Sequence, residues 1–199
     1  MAKNTSEDLT RQFAIYQAIG HHPRITQCLG LEKDTVGNTI ALRLERAPMG
    51  DLRGFIEENS PPSIKQRAAM AANSAEGVKH LHSRKVTWGD LSTRNTLVFD
   101  GMDLKLCDFA SAALENVYPE FGQHAYELRY WPAMTLDDIE QLNMYQKELF
   151  ALGSAIYEIM EWEKPYAKFD DLEVDRMLCG GQRATISVGN CAGDIIVRC

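Results

Sequence analysis

No apolar run in the 199 residues approaches the length of a membrane span, and the opening MAKNTSEDLT holds no apolar secretory segment. Those absences lead us to expect a soluble intracellular protein, cytoplasmic or nuclear, with no membrane partner. Positive charge is not in excess either. The 21 Lys and Arg stand against 28 Asp and Glu, a net charge of -7, which argues against non-specific nucleic-acid binding. It does not speak against an acidic substrate meeting a local basic pocket. Cys-x-x-Cys is missing. The cysteines Cys28, Cys107, Cys179, Cys191 and Cys199 are odd in number and widely spaced. A disulfide framework or structural zinc site is therefore disfavoured, and thiols in a reducing compartment fit better. Internal repeats and low-complexity tracts are also lacking.

What remains is ordinary globular material, 45% hydrophobic and 25% charged, enough for one sizeable core or two small lobes. Residues 7–20 put Leu9, Phe13, Tyr16 and Ile19 at helical spacing, with Ser6 as cap and Gly20 as stop. ITQCLGLEKD and TIALRLE flank the turn signal Val36-Gly37-Asn38 and read as a hairpin. RAPMG at 46–50 is a connector before a short helix, DLRGFIEEN. Ser60-Pro61-Pro62-Ser63 breaks the chain. The alanine-rich segment after it aligns Ile64, Ala68, Ala71, Ala75, Val78 and Leu81 on one helical face. Three strand candidates follow, KVTW, TLVF and LKLCDF, the last two joined by a tight turn at 100–103. Residues 110–134 read as irregular. QKELFALGSAIYEIMEW is apolar on most sides and so reads as a buried helix, with short helices in DLEVDRMLCGG and GDIIVRC.

The chemistry-bearing stretch is VTWGDLSTRNTLV, followed by LKLCDFASA. Asp90, Asn95 and Asp108 lie on two loops flanking the strand-turn-strand unit. Any one of them alone reads equally as a turn residue. Together they supply two carboxylates and an amide carbonyl. Magnesium takes oxygen ligands of this kind, and phosphoryl transfer needs such a metal plus a carboxylate that orients the acceptor hydroxyl. His80 and His82 are two apart and so point to different helix faces, which favours a structural role over a metal site. His21-His22 before Pro23 reads as a turn. Asp170, Asp171, Glu173 and Asp175 read as a solvated acidic face.

The order Asp, four residues, Asn, strand, turn, strand, Asp-Phe resembles the catalytic loop and metal-binding segment of eukaryotic protein kinases. LRLERAPMGDL resembles the hinge of that family, HHPRITQCLG the segment after its regulatory helix, and ELFALGSAIYEIMEWEKPY the buried helix of its large lobe. The resemblance implies an α+β fold, a partial small β lobe with a regulatory helix plus a mainly helical large lobe. It divides one partial domain over 1–199 into a small-lobe remnant at about 7–45, a hinge at 46–50 and an incomplete large lobe over 51–199. It implies ATP and Mg2+ as cofactors and a protein substrate or binding partner, with no nucleic acid. By the resemblance Asp90 is catalytic, orienting the substrate hydroxyl, and Asn95 and Asp108 hold magnesium. Backbone atoms of Glu45 and Ala47 meet adenine, Leu44 lines the back of that pocket, and Asp51 lies near the ribose.

The departures from that family are equally specific. No G-x-G-x-x-G occurs, only MAKNTS precedes the first helix, and Lys3 is too close to that helix to serve as the ATP-binding lysine. The expectation is a kinase domain trimmed at both ends. Gln12 stands where the regulatory helix carries a Glu. Trp88-Gly89-Asp90 replaces His-Arg-Asp, which removes the arginine partner of a phosphorylated activation loop. Asp108-Phe109-Ala110 replaces Asp-Phe-Gly, Trp131-Pro132-Ala133 lacks a structural Glu, and Glu148 replaces an Asp in the buried helix. Three functions compete: a protein kinase acting on Ser/Thr or Tyr, a pseudokinase serving as a binding or scaffold module, and a small-molecule kinase of the aminoglycoside or choline type. Ser92 and Arg94 do not decide between Ser/Thr and Tyr acceptors.

Overall fold

A computed structural model describes residues 5–119 and 126–198; Lys3, Cys199 and positions 120–125 of the expected irregular stretch lie outside the described residues. The first helix, α1 (Ser6–Ile19), is capped by Thr5 and not by Ser6. Thr5 is the residue with a carboxylate three positions on. Its hydroxyl accepts from the Asp8 amide at 3.1 Å and Asp8 accepts from the Thr5 amide at 3.0 Å, a reciprocal capping box. The Ser6 hydroxyl instead accepts from the Thr39 amide at 3.0 Å, tying the helix to the hairpin. Gly20 ends the helix with φ 73°. The buried face holds Leu9, Ile15, Tyr16 and Ile19 together with Arg11 and Gln12, while Phe13, expected on it, sits half-buried at its margin.

The hairpin forms as expected from β1 (Cys28–Lys33) and β2 (Thr39–Leu44), antiparallel with Leu31 opposite Leu42. Its turn is organised by Asp34, whose Oδ1 accepts from the amides of Val36 and Asn38 at 3.0 and 2.8 Å. The connector leads to α2 (Leu52–Glu58) and then past the two prolines to α3 (Ile64–Ser83). Ser63 and Gln66 cap α3 reciprocally. Ile64, expected in the core, is exposed because it lies in the first turn, ahead of Met70, where burial of this helix begins in earnest. At Gly77 the helix passes so close to the sheet that a Cβ would stand 2.7 Å from Leu106 Cδ1.

The expected strands are real but short: β3 (Val86–Thr87), β4 (Thr96–Val98) and β5 (Leu104–Leu106). β4 and β5 pair antiparallel with Thr96 opposite Leu106, joined by a 3-10 turn at Asp100–Met102 in which Gly101 takes φ 73°. β3 pairs with β6 (Ala113–Leu114), a strand that no periodicity announced, since two residues carry no pattern. The rest is helical: α4 (Leu136–Gln141), which was not anticipated, α5 (Met144–Glu161), α6 (Asp171–Cys179) and α7 (Gly193–Arg198). One cluster unites Ile15 and Ile19 of α1, Leu81 of α3, Leu104 and Leu106 of β5, Trp88, Phe109, and Ile159 of α5. Each such fully buried aliphatic side chain contributes roughly 1.5–3 kcal/mol. Among the described residues no helix is long and apolar enough to cross a membrane.

Candidate active site

β3 delivers the chain to Trp88-Gly89-Asp90, and the backbone there is pinned from below. Glu148 of α5, fully buried, accepts from the Trp88 amide at 2.5 Å and the Gly89 amide at 3.1 Å, and its other oxygen is bonded to His82 Nε2 of α3. The carboxylate retained at 148 therefore fixes the approach to Asp90. Trp88 is itself fully buried and donates from Nε1 to the Asp108 carbonyl at 2.9 Å, so it links the two loops as well as filling space. His80, on the other face, donates to the Ile19 carbonyl at 3.0 Å and stacks on His22, in keeping with a structural role.

The 3-10 turn at Thr93–Asn95 folds Asn95 back onto Asp90. Asn95 Nδ2 donates to both the Asp90 carbonyl and its Oδ2, each at 2.9 Å. Asp90 Oδ1 is buried without a hydrogen-bond partner. Burial pushes the Asp90 carboxyl up to about 6. The Asn95 hydrogen bond and the Arg94 charge oppose that rise, and the Asp108 and Glu127 charges add to it. Past the strand pair, the Cys107 amide donates to the Asn95 carbonyl at 2.9 Å, which sets Asp108 beside Asn95. Burial likewise raises the Cys107 thiol to about 12, so it stays protonated and unreactive at neutral pH. Asp108 is exposed, takes φ 55°, and accepts from the Ala110 amide at 3.2 Å. Phe109 is fully buried, edge-on to Tyr16 at 4.9 Å and tilted against Trp88 at 5.8 Å.

Asp90, Asn95 and Asp108 are thus brought to one end of the β4–β5 unit. Among the described residues no three His, Cys, Asp or Glu side chains gather as a self-sufficient metal cage. A cation here would take the Asn95 carbonyl and the Asp108 carboxylate, with the remaining ligands from phosphate or water. That is how magnesium is commonly held. The residues fit that role, because the Asn95 NH2 is committed to Asp90 and its carbonyl oxygen points the other way. Asp90 Oδ1 is buried with its acceptor capacity unfilled, which adds to the cost of ionising this carboxyl.

The four remaining predicted residues lie along the connector. Leu44 closes β2 opposite Cys28 and packs against the core. The Glu45 amide donates to the Gln27 carbonyl at 2.9 Å, and its carboxylate binds Lys105 of β5 at 2.7 and 2.9 Å. Ala47 is half-buried in the connector. Asp51 caps α2, with Oδ1 accepting from the Gly54 amide at 2.9 Å.

A buried network beside the site was not found from sequence. Arg53 of α2 is bonded to Glu158 of α5, donates to Thr93 Oγ1 at 2.9 Å, and reaches Glu127 at 3.2 Å. Glu127 also holds Arg94 at 2.7 Å, and Tyr130 donates to Glu158 at 2.7 Å. Burial works against the Arg53 charge, but the Glu158 and Glu127 carboxylates outweigh it and hold the guanidinium more firmly protonated. A signal in the sequence was Glu158 within the apolar run AIYEIM of α5, a position that demands a buried partner.

A family model described as protein tyrosine and serine/threonine kinase matches residues 1–196. The chain is 27% identical over 177 residues to fibroblast growth factor receptor 1 of Dugesia japonica, covering 79% of this chain and 20% of that protein. It is 25% identical over 186 residues to the tyrosine-protein kinase Drl of Drosophila melanogaster, covering 88% of this chain and 29% of the relative. A probable receptor-like protein kinase of Arabidopsis thaliana is 34% identical over 96 residues, 46% of this chain and 28% of its own length. The chain therefore spans less than a third of the length of these relatives.

Proposed function

From the premise that the chain belongs to the protein tyrosine and serine/threonine kinase family, we propose that it is a protein kinase domain whose Asp90, Asn95 and Asp108 serve ATP-dependent phosphoryl transfer to a protein hydroxyl. The observation that carries this reading is the Asn95 amide held on both the carbonyl and the carboxylate of Asp90, beside Asp108. Asp90, ionised above about pH 6, orients the acceptor hydroxyl for attack through its carboxylate. Asn95 and Asp108 would hold magnesium, which would supply charge neutralisation on the phosphates. Glu148 keeps the loop backbone in place by taking two amides that would otherwise lie buried and unpaired. The division into a small part over 7–45, a connector over 46–50 and a large part over 51–199 belongs to this proposal. So do the nucleotide contacts of Leu44, Glu45, Ala47 and Asp51.

A second reading, a binding module without turnover, is favoured by Gln12. It is buried on α1 where the family carries a carboxylate, and a neutral amide cannot form the ion pair that positions the donor phosphates. The two readings separate in one experiment. Radiolabelled ATP with Mg2+ and a panel of protein acceptors should give phosphate incorporation that Asp90→Asn lowers at least about a hundredfold. Tight Mg-ATP binding without incorporation supports the binding module. A panel in which only small alcohols accept phosphate overturns both, and no nucleotide binding at all overturns the kinase reading.

A further inference from the structure

We propose that Arg11 of α1 is a positioning residue that sets the backbone of the segment carrying Asp108, by donating to the carbonyls at 110 and 112. It rests on the reading above only for its link to metal, not for its structural content.

The φ of 55° at Asp108 is left-handed, a conformation that disfavours side chains other than Gly unless local hydrogen bonds support them. Its own carboxylate offsets part of that through the Ala110 amide. Local bonds alone leave the carbonyls of the segment to be satisfied from elsewhere. Three alternate carbonyls are taken by side chains from outside. Trp88 Nε1 donates to that of Asp108 at 2.9 Å, Arg11 Nη2 to that of Ala110, and Arg11 Nη1 to that of Ala112 at 3.3 Å. Arg11 is buried, so its guanidinium is a desolvated charge facing carbonyl dipoles, and such charge-assisted bonds are roughly twice as strong as neutral ones.

The planar fork matters, because one Lys ammonium does not reproduce two divergent donors at fixed separation. The aromatic contacts reinforce the same junction. Tyr16, five residues along α1, meets Phe109 edge-on, and Phe109 in turn meets Trp88. Helix α1 therefore grips the segment twice, through Phe109 by packing and through 110 and 112 by the Arg11 fork. The grip uses backbone carbonyls, so it does not depend on side-chain identity at Ala110 or Ala112. It also needs no charged partner on the nucleotide side, which makes the position of α1 relative to Asp108 a property of the folded chain.

The test uses Arg11→Met, which keeps the apolar stem and removes the fork, and Arg11→Lys, which keeps the charge. Amide hydrogen exchange of the whole chain should show residues 109–114 exchanging about ten to a hundred times faster in Arg11→Met. Exchange in α3 and α5 should remain as in the wild type, and Arg11→Lys should recover part of the protection. Unchanged exchange at 109–114, or a uniform rise that includes α3 and α5, overturns the proposal. So does full recovery by Lys. Where the wild type transfers phosphate, Arg11→Met should raise the Mg2+ concentration needed for half-maximal rate while leaving the acceptor KM unchanged; the reverse split overturns the metal link. A wild type with no transfer and no Mg-ATP binding removes the kinase reading, and the exchange result then still decides the role of Arg11.

Discussion

Asp90 carries opposite consequences for chemistry and for stability. Its carboxyl is raised by burial to about 6, so the ionised form that can orient a hydroxyl fills in only above that value. We predict a phosphotransfer rate that climbs about tenfold per pH unit below pH 6 and levels off near pH 7, measured as a pH–rate profile. The linkage runs the other way for the fold. A carboxyl raised above its unfolded value binds more protons in the native state between its ordinary value of 3.8 and about 6. Its contribution therefore weakens the fold as pH rises through that interval. Asp90→Asn should accordingly raise the Tm at pH 7 while removing transfer, and a lower Tm would contradict the account. Glu161 shows the opposite sign. Burial alone would raise it, but hydrogen bonds from Ser187 and Asn190 outweigh that and lower it from 4.5. Its stabilisation is complete above pH 4.5 and lost as pH falls through the depressed value. Urea melts of Glu161→Gln between pH 3 and 6 should lack that acid-labile component.

At the scale of elements, the contact between α3 and β5 is set by a missing side chain. Gly77 lets the helix approach until Leu106 Cδ1 and Cγ stand 2.7 and 2.9 Å from where a Cβ would be. Alanine is the better helix former by about 1 kcal/mol, but Leu106 is fully packed and the Arg24 carbonyl lies 3.3 Å away on the other side. Overpacking of this kind typically costs about 1–3 kcal/mol, so Gly77→Ala should lower stability on balance, read as a reduced urea midpoint with an unchanged slope. The same closeness matters for the site, because β5 leads through Cys107 directly to Asp108. Caps were partly readable from sequence. Ser63 and Asn143 each stand three before a Gln, whereas Ser6 lost its expected role to Thr5 because Asp8 lies three after Thr5.

Across the whole molecule, Arg53, Thr93, Glu127, Tyr130 and Glu158 join α2, the turn at Thr93–Asn95, the turn at Leu128–Tyr130 and α5. Removing one partner leaves a desolvated charge behind, so Glu158→Ala should cost roughly 3–5 kcal/mol by urea denaturation. Replacing both, Arg53→Met with Glu158→Leu, should recover most of that loss, since an apolar pair of similar volume carries no desolvation penalty. If the double variant is as unstable as the single one, the network's value lies in geometry beyond the ion pair. Trp88 sits where α5 meets the segment carrying Asp108, and its fully buried ring is the largest single core volume around the site. Trp88→Ala should cost roughly 3–5 kcal/mol and loosen both loops.

Much of this was legible in the linear order of residues. Helical spacing placed α1 and α3, and a run apolar on most sides placed α5. The Gly37 and Gly101 turns placed two hairpins. The spacing of Asp90, Asn95 and Asp108 around a strand-turn-strand unit pointed to their neighbourhood, because short-range geometry is set by turns and periodicity within a few residues. β6, α4, the fork of Arg11 and the Arg53–Glu158 network were not legible. Each depends on partners dozens of residues away, such as the 99 positions between Arg11 and Ala110, and a buried arginine looks in sequence like an exposed one. By itself the sequence determined the family pattern and the chemical character of the candidate loop. Only the tertiary structure decided which side chains hold that loop in place, because desolvated hydrogen bonds and ion pairs exist only once distant segments have excluded water around them.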